Sequence, residues 1–163
     1  MIRPIEPDDL NAVADIYNYY IANTVISFEE APLSREQIEQ RVKKITSAGL
    51  PWFIVEENKE ILGYAYADHW NKRGAYRNTV EVSVYLSPKY CAKSLGTLLY
   101  QALFKRLKEL SFHVVIGGVT LPNPASCRLH EKFGMTKIAH FSEVGYKFGA
   151  WHDVGYWQVT LDI

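Results

Sequence analysis

Long apolar runs, stretches of like charge and paired cysteines are all missing from this sequence, and each absence removes a class of protein. No apolar run approaches the roughly 18 residues of a membrane span, so no segment reads as a membrane helix. The 18 Lys and Arg balance 18 Asp and Glu. No basic run exceeds two residues, so nothing suggests nucleic acid as a partner. The two cysteines, Cys91 and Cys127, have no metal-binding or redox spacing, which favours reduced thiols. His69, His113, His130, His140 and His152 lack zinc-ligand spacing, so no metal is expected. The opening MIRPIEPDD carries acids by Asp8 and has no apolar leader core. The reading is a cytoplasmic chain with no linker, repeat or low-complexity tract.

What is present is apolar patterning. Nearly half the residues are hydrophobic and 13% are aromatic, which argues against disorder. The 163 residues fit one domain, 1–163. Ile2 to Ile5 is a short strand candidate ended by Pro7. The segment PDDLNAVADIYNYYIAN starts with acids suited to a helix N-terminus, and sets Leu10, Val13, Ala14, Tyr17 and Ile21 on one face. Ser34 with Gln37 makes a capping box for a second helix with Ile38, Val42 and Ile45 buried, ending at Gly49-Leu50-Pro51.

WFIVEE and ILGYAYAD read as a hairpin turning at Asn58, Lys59 and Glu60. TVEVSVYL alternates, with Val80, Val82, Val84 and Leu86 on one face and Glu81, Ser83 and Tyr85 on the other. Pro88 stops it. Leu95, Leu98, Leu99, Ala102 and Leu103 recur at helical spacing, and VVIGGVT reads as a buried strand. NPASCRLHEKFG has Asn123 as N-cap, Pro124 at the first helical position and Gly134 past the end. Strands from about Met135 to Phe141 and Asp153 to Leu161 follow, joined by the Gly-rich stretch VGYKFGAWHD. The order β-αα-βββ-α-β-α-ββ predicts an α/β fold on one mixed sheet.

Two segments carry a chemical signature. TVEVSVYLSPKY followed by CAKSLGTLLY is similar to the strand–loop–helix with which the GCN5-related N-acetyltransferases (GNAT) hold the pyrophosphate of CoA. Main-chain amides and a helix N-terminus embrace an anion there. The loop departs from the family pattern, with Cys91 in place of Gln or Arg and Ser94 in place of the first glycine, while Gly96 is kept. LPNPASCRLHEKFG resembles the family's asparagine-led helix. IYNYYIANTVISFEEAPLS, NKRGAYRNTVEVSVYL and VGYKFGAWHDVGYWQ narrow the resemblance to the phosphinothricin and methionine sulfoximine acetyltransferases. In the last, Lys147, Gly149, Trp151 and Asp153 share the spacing.

The resemblance covers nearly the whole chain. It implies a GNAT fold, a mostly antiparallel sheet of about seven strands with four helices. It also implies acetyl-CoA as co-substrate, a small amino-acid-like amine as acceptor, and a homodimer with the C-terminal hairpin near its interface. It places Glu81 as base and His130 facing the sulfur, as acid, base or orienting group. Val84, Tyr85, Leu86, Ala92, Lys93, Ser94, Leu95, Gly96, Thr97 and Asn123 would hold the co-substrate. Phe28, Arg73, Tyr76 and Lys147 would contact the acceptor, where an Arg fork suits an anionic group. Two other readings remain open at this point: another amine acceptor (a polyamine, an antibiotic or a protein N-terminus), or a non-catalytic acetyl-CoA-binding module.

Overall fold

The computed structural model describes residues 1–91 and 94–162. Among them one seven-stranded sheet runs in the order β1-β2-β3-β4-β5-β7-β6. The strands are β1 (Ile2–Pro4), β2 (Trp52–Glu57), β3 (Glu60–His69), β4 (Thr79–Leu86), β5 (Val114–Leu121), β6 (Thr136–Lys147) and β7 (Ala150–Thr160). Four α-helices accompany them: α1 (Leu10–Asn23), α2 (Arg35–Ser47), α3 (Leu95–Glu109) and α4 (Pro124–Lys132). This is the expected α/β architecture in the expected order. No helix among the described residues is long and apolar enough to cross a membrane.

The local chemistry behaves as the residues dictate. Ser34 accepts from the Gln37 N–H at 3.1 Å while Gln37 bonds back to the Ser34 N–H at 2.8 Å, closing the capping box of α2. Asn123 Oδ1 accepts from the Ser126 N–H at 3.2 Å at the start of α4. The β2–β3 turn holds only Asn58 and Lys59, with φ of 51° and 66°; Glu60 already belongs to β3. Two consecutive left-handed residues make the hairpin turn that matches strand twist.

Leu95, Leu99, Leu103 and Leu107 bury one face of α3. Leu98, expected on that stripe, is exposed because it sits a rotation away from this i, i+4 row. The C-terminal strands are longer than their pattern suggested. β6 continues to Lys147 across a register shift between Phe141 and Gly145, where Glu143 takes φ 52°. The Gly-rich stretch read as a connection is therefore mostly ladder, and only Phe148 and Gly149, at φ 53° and 72°, turn. A bulge breaks strict alternation, which hides a strand from a period-two reading.

The feature that positions everything else is a fork. All neighbours in the sheet are antiparallel except β4 and β5, which are parallel and pair only from Thr79↔Val114 to Glu81↔Ile116. Beyond Glu81 the two strands separate. β4 stays on β3 as far as Leu86↔Gly63, and β5 stays on β7 as far as Leu121↔Asp153. α1 and α3 pack the sheet from its two faces, with α3 seated on β2, β3 and β4.

Candidate active site

The fork opens a cleft lined by Val82, Ser83, Val84 and Tyr85 of β4 and by Gly118, Val119 and Thr120 of β5. Asn123, Ser126 and His130 of α4, Tyr100 of α3 and Ile26 close it. A contiguous groove continues from Ile26, Val84, Asn123 and Ser126 to Leu86, Cys91, Ser94, Leu95, Gly96 and Thr97. The long channel thus ends at the N-terminus of α3, where first-turn amides and the helix dipole favour an anion. A linear ligand with an anionic group partway along it suits this shape.

Main-chain donors line the β4 side. The Ser87 N–H donates to the Leu62 carbonyl on the β3 side at 2.8 Å. Antiparallel alternation from there turns the Tyr85 amide toward β3 and the Val84 and Leu86 amides toward the cleft. Of Val84, Tyr85 and Leu86, all expected to hold the co-substrate, Tyr85 therefore supplies a ring rather than an N–H, packed against Tyr17, Tyr20 and Tyr64.

Glu81 sits at the apex of the fork, half-buried and without a hydrogen-bond partner among the described residues. Burial raises its carboxyl pKa above the ordinary 4.5, and the neighbouring Asp68 charge pushes the same way. An unpaired, partly desolvated carboxylate costs stability and holds a proton more firmly than an exposed one.

His130 lies on the opposite face and is only 3% exposed. Its Nδ1 faces the Ser126 carbonyl at 2.6 Å, and Nε2 lies 3.2 Å from the Tyr100 hydroxyl. A carbonyl only accepts, so Nδ1 carries the proton and Nε2 accepts from Tyr100. Burial lowers the pKa below 6.5. In this arrangement Nε2 accepts, and burial favours the neutral ring.

Two consecutive glycines let both groups in. A Cβ on Gly117 would stand 2.4 Å from His130 Nε2. One on Gly118 would meet Tyr156 at 3.0 Å and Glu81 Oε1 at 3.3 Å. Glycine inside a strand marks a close approach, and here it does so on each face in turn. Gly96 works similarly, since its missing Cβ would lie 3.2 Å from Leu129, bringing α3 close to α4. Ser94 caps α3 at φ 56°, a left-handed conformation that glycine adopts without strain. Ala92 and Lys93 lie outside the described residues.

The expected acceptor residues do not converge on this cleft. Lys147 is 2% exposed, and its ammonium donates to the carbonyls of Ile21 and Ser27, both at 2.7 Å. It fastens the last turn of α1 and the segment after it to β6, so its ammonium is committed to those two carbonyls. Phe28 packs over Gly145, where a Cβ would be 2.3 Å from the ring, and beside His152. Arg73 and Tyr76 are exposed in the β3–β4 connection and do not line the cleft. The sequence reading also missed Tyr100, Ser126, Ile26 and the Gly117-Gly118 pair. The last had a signal, two glycines inside a β-branched run.

A family profile described as an acetyltransferase (GNAT) domain matches residues 2–155. The phosphinothricin N-acetyltransferase of Streptomyces viridochromogenes is 38% identical over 162 residues, covering 99% of this chain and 88% of that relative. The L-methionine sulfoximine/L-methionine sulfone acetyltransferase of Salmonella typhimurium is 32% identical, covering 99% and 94%. Among solved structures, a GNAT superfamily phosphinothricin acetyltransferase from Sinorhizobium meliloti in complex with AcCoA superposes with a TM-score of 0.96 at 33% identity, covering 99% of this chain and 88% of that one. With the forked sheet, the amide-lined cleft and these likenesses in place, the chain belongs to the GNAT family of acetyltransferases, whose acetyl donor is acetyl-CoA.

Proposed function

We propose that this acetyltransferase acylates the amine of a small amino-acid-like acceptor of the phosphinothricin, methionine sulfoximine or methionine sulfone type. Glu81 is its base. The observation that carries this reading is a half-buried carboxylate at the apex of the β4–β5 fork, with no hydrogen-bond partner among the described residues. An α-ammonium must lose a proton before it can attack, and a carboxyl whose pKa burial raises above its ordinary value is better suited to take it, directly or through one water. The neutral amine then attacks the acetyl carbonyl in a ternary complex, with the donor held in the cleft by position alone. The Val84 and Leu86 amides are placed to stabilise the oxyanion. The tetrahedral adduct then collapses: its nitrogen gives one of its two protons to solvent, the C–S bond breaks, CoA leaves as the thiolate, and the amide keeps one N–H.

Asn123 spends its carbonyl on the Ser126 amide, which leaves its Nδ2 donor for the pantetheine arm. Ser94, Leu95, Gly96 and Thr97 are our assignment for the pyrophosphate, since all four line the outer groove. Neutral His130 holds the Tyr100 hydroxyl in the cleft wall rather than protonating sulfur. Arg73 and Tyr76 are assigned to the anionic end of the acceptor. They are borne on the connection that leads directly into β4.

A second copy of the chain is the assigned occupant of the outer face of the C-terminal hairpin. Phe141, Val144, Tyr146, Phe148 and Trp151 there are each at least half exposed, a patch of the kind found at interfaces. Both cysteines are free, which fits a cytoplasmic setting.

The test is CoA release from acetyl-CoA with phosphinothricin, methionine sulfoximine, methionine sulfone, spermidine and a short peptide as acceptors. Turnover of the first three, lost in Glu81→Gln, is the expected result. Turnover of spermidine or peptide alone overturns the acceptor class. Binding of acetyl-CoA without turnover of any acceptor overturns the catalytic reading. Sedimentation of Trp151→Lys against the parent chain tests the dimer.

A further inference from the structure

β3 and β4 pair without interruption from Gly63↔Leu86 to His69↔Val80, and this register sets Asp68 directly opposite Glu81. Directly opposed residues on neighbouring antiparallel strands point to the same face, with Cβ atoms about 5 Å apart. Two carboxylates so placed are an unfavourable pair, and opposite charge or a polar neutral group is the ordinary solution. Glu81 has no such partner among the described residues.

The surroundings of Glu81 make Asp68 its dominant electrostatic neighbour. β5 offers Ile116 and Gly118, which carry no charge. α3 offers Tyr100 and β7 offers Tyr156, both phenols with pKa raised by burial and so neutral. From α2, Lys44 approaches Asp68 rather than Glu81, at 3.7 Å, with 72% of its side chain exposed. Such a surface pair is weak and screened. Of the other cations on that helix, Arg41 is bound to Glu29, and Arg35 and Lys43 both pair with Glu39. His69 follows Asp68 into solvent.

We propose that Asp68 is a positioning residue for acetyl transfer: facing Glu81 across the β3–β4 pair, its charge disfavours a second anion beside it and keeps Glu81 ready to take up a proton. The proposal rests on Glu81 being the base. Asp68 touches neither reacting atom; it acts through Glu81 alone. Because the two groups are coupled, the acidic limb of the pH–rate profile belongs to the pair.

The experiment is the pH profile of kcat/KM for the amine acceptor in the parent chain, Asp68→Asn and Glu81→Gln, at low and high salt. Asparagine keeps the size of Asp68 and the oxygen that accepts from the His69 N–H at 2.8 Å, and Asp68→Ser is a second uncharged variant. The expected result is an acidic limb moved to lower pH in both Asp68 variants, with KM for acetyl-CoA unchanged. High salt should move the parent limb the same way, and the Asp68→Asn limb less, because screening weakens what the variant has already lost. The salt comparison needs no substitution. A limb unmoved in Asp68→Asn and by salt, with Glu81→Gln inactive, overturns the role of Asp68 alone. A Glu81→Gln enzyme with full activity and the parent profile overturns the base assignment itself.

Discussion

Two ends of the cleft side of this molecule each bury a charged side chain, and they treat it in opposite ways. At the hairpin, Lys147 is nearly inaccessible, and its ammonium meets two main-chain carbonyls. At the fork, Glu81 is less deeply buried yet meets no hydrogen-bond donor among the described residues. A buried charge that is fully hydrogen-bonded organises the chain around it, whereas one left unpaired is costly and persists where it is used. Satisfaction, more than burial, separates the structural cation from the anion proposed as base. The family resemblance had put both into the site.

The sharpest way to break this contrast is to neutralise each group. Glu81→Gln should lower kcat by about two to four orders of magnitude, the usual worth of a positioned base, measured as CoA release at saturating substrates. It should also stabilise the fold. With the folded pKa above the unfolded one, the folded chain binds more protons as pH rises from the unfolded value, so Glu81 erodes stability through that window. The gain in Glu81→Gln is therefore complete above the folded pKa and fades as pH falls to about 4.5, read from thermal unfolding at a series of pH values.

Lys147→Met should do the reverse. It leaves the Ile21 and Ser27 carbonyls unpaired, at about 1–3 kcal/mol for each buried group abandoned. Denaturant unfolding should show that loss, while kcat per folded molecule changes far less than in Glu81→Gln. A Lys147→Met enzyme of parental stability but no activity would reverse the assignment.

Two smaller changes sharpen the comparison at the cleft walls. Gly117→Ala pushes a methyl into His130, which is itself tied to Ser126 and Tyr100. Overpacking of this kind costs about 1–3 kcal/mol, and acetyl-CoA affinity should fall as α4 and Asn123 shift, measured by calorimetry. Ser94→Gly relieves the left-handed cap of α3 and should add about 1 kcal/mol of stability. It should leave acetyl-CoA binding equal or tighter, since the donors there belong to the main chain.

The elements were legible wherever one residue type does one local job. Ser34 and Gln37 cap α2, Asn123 caps α4, and β4 runs from Thr79 to Leu86 as its alternation required. β6 was misread because the bulge at Glu143 interrupts its period, and its glycines suggested a loop. The candidate site was legible in part. Glu81, Asn123 and His130 were recognised from motifs, and the structure sets Glu81 at the apex and the other two in the wall of the cleft. Tyr100 was not, because a tyrosine within a leucine-rich stripe looks like core, and it is core until α4 brings His130 to its hydroxyl.

The sequence by itself determined the α/β element order, the helix caps, the β2–β3 turn and the family, because each depends on neighbours a few residues apart. Only the tertiary structure decided where β4 leaves β5, which of three amides face the gap, and that His130 is a neutral acceptor. It alone decided that Lys147 is spent on carbonyls more than a hundred positions away, at Ile21 and Ser27. Register across strands and desolvation are properties of segments brought together from distant parts of the chain, and local pattern does not contain them. The pairing of Asp68 with Glu81 is of that kind.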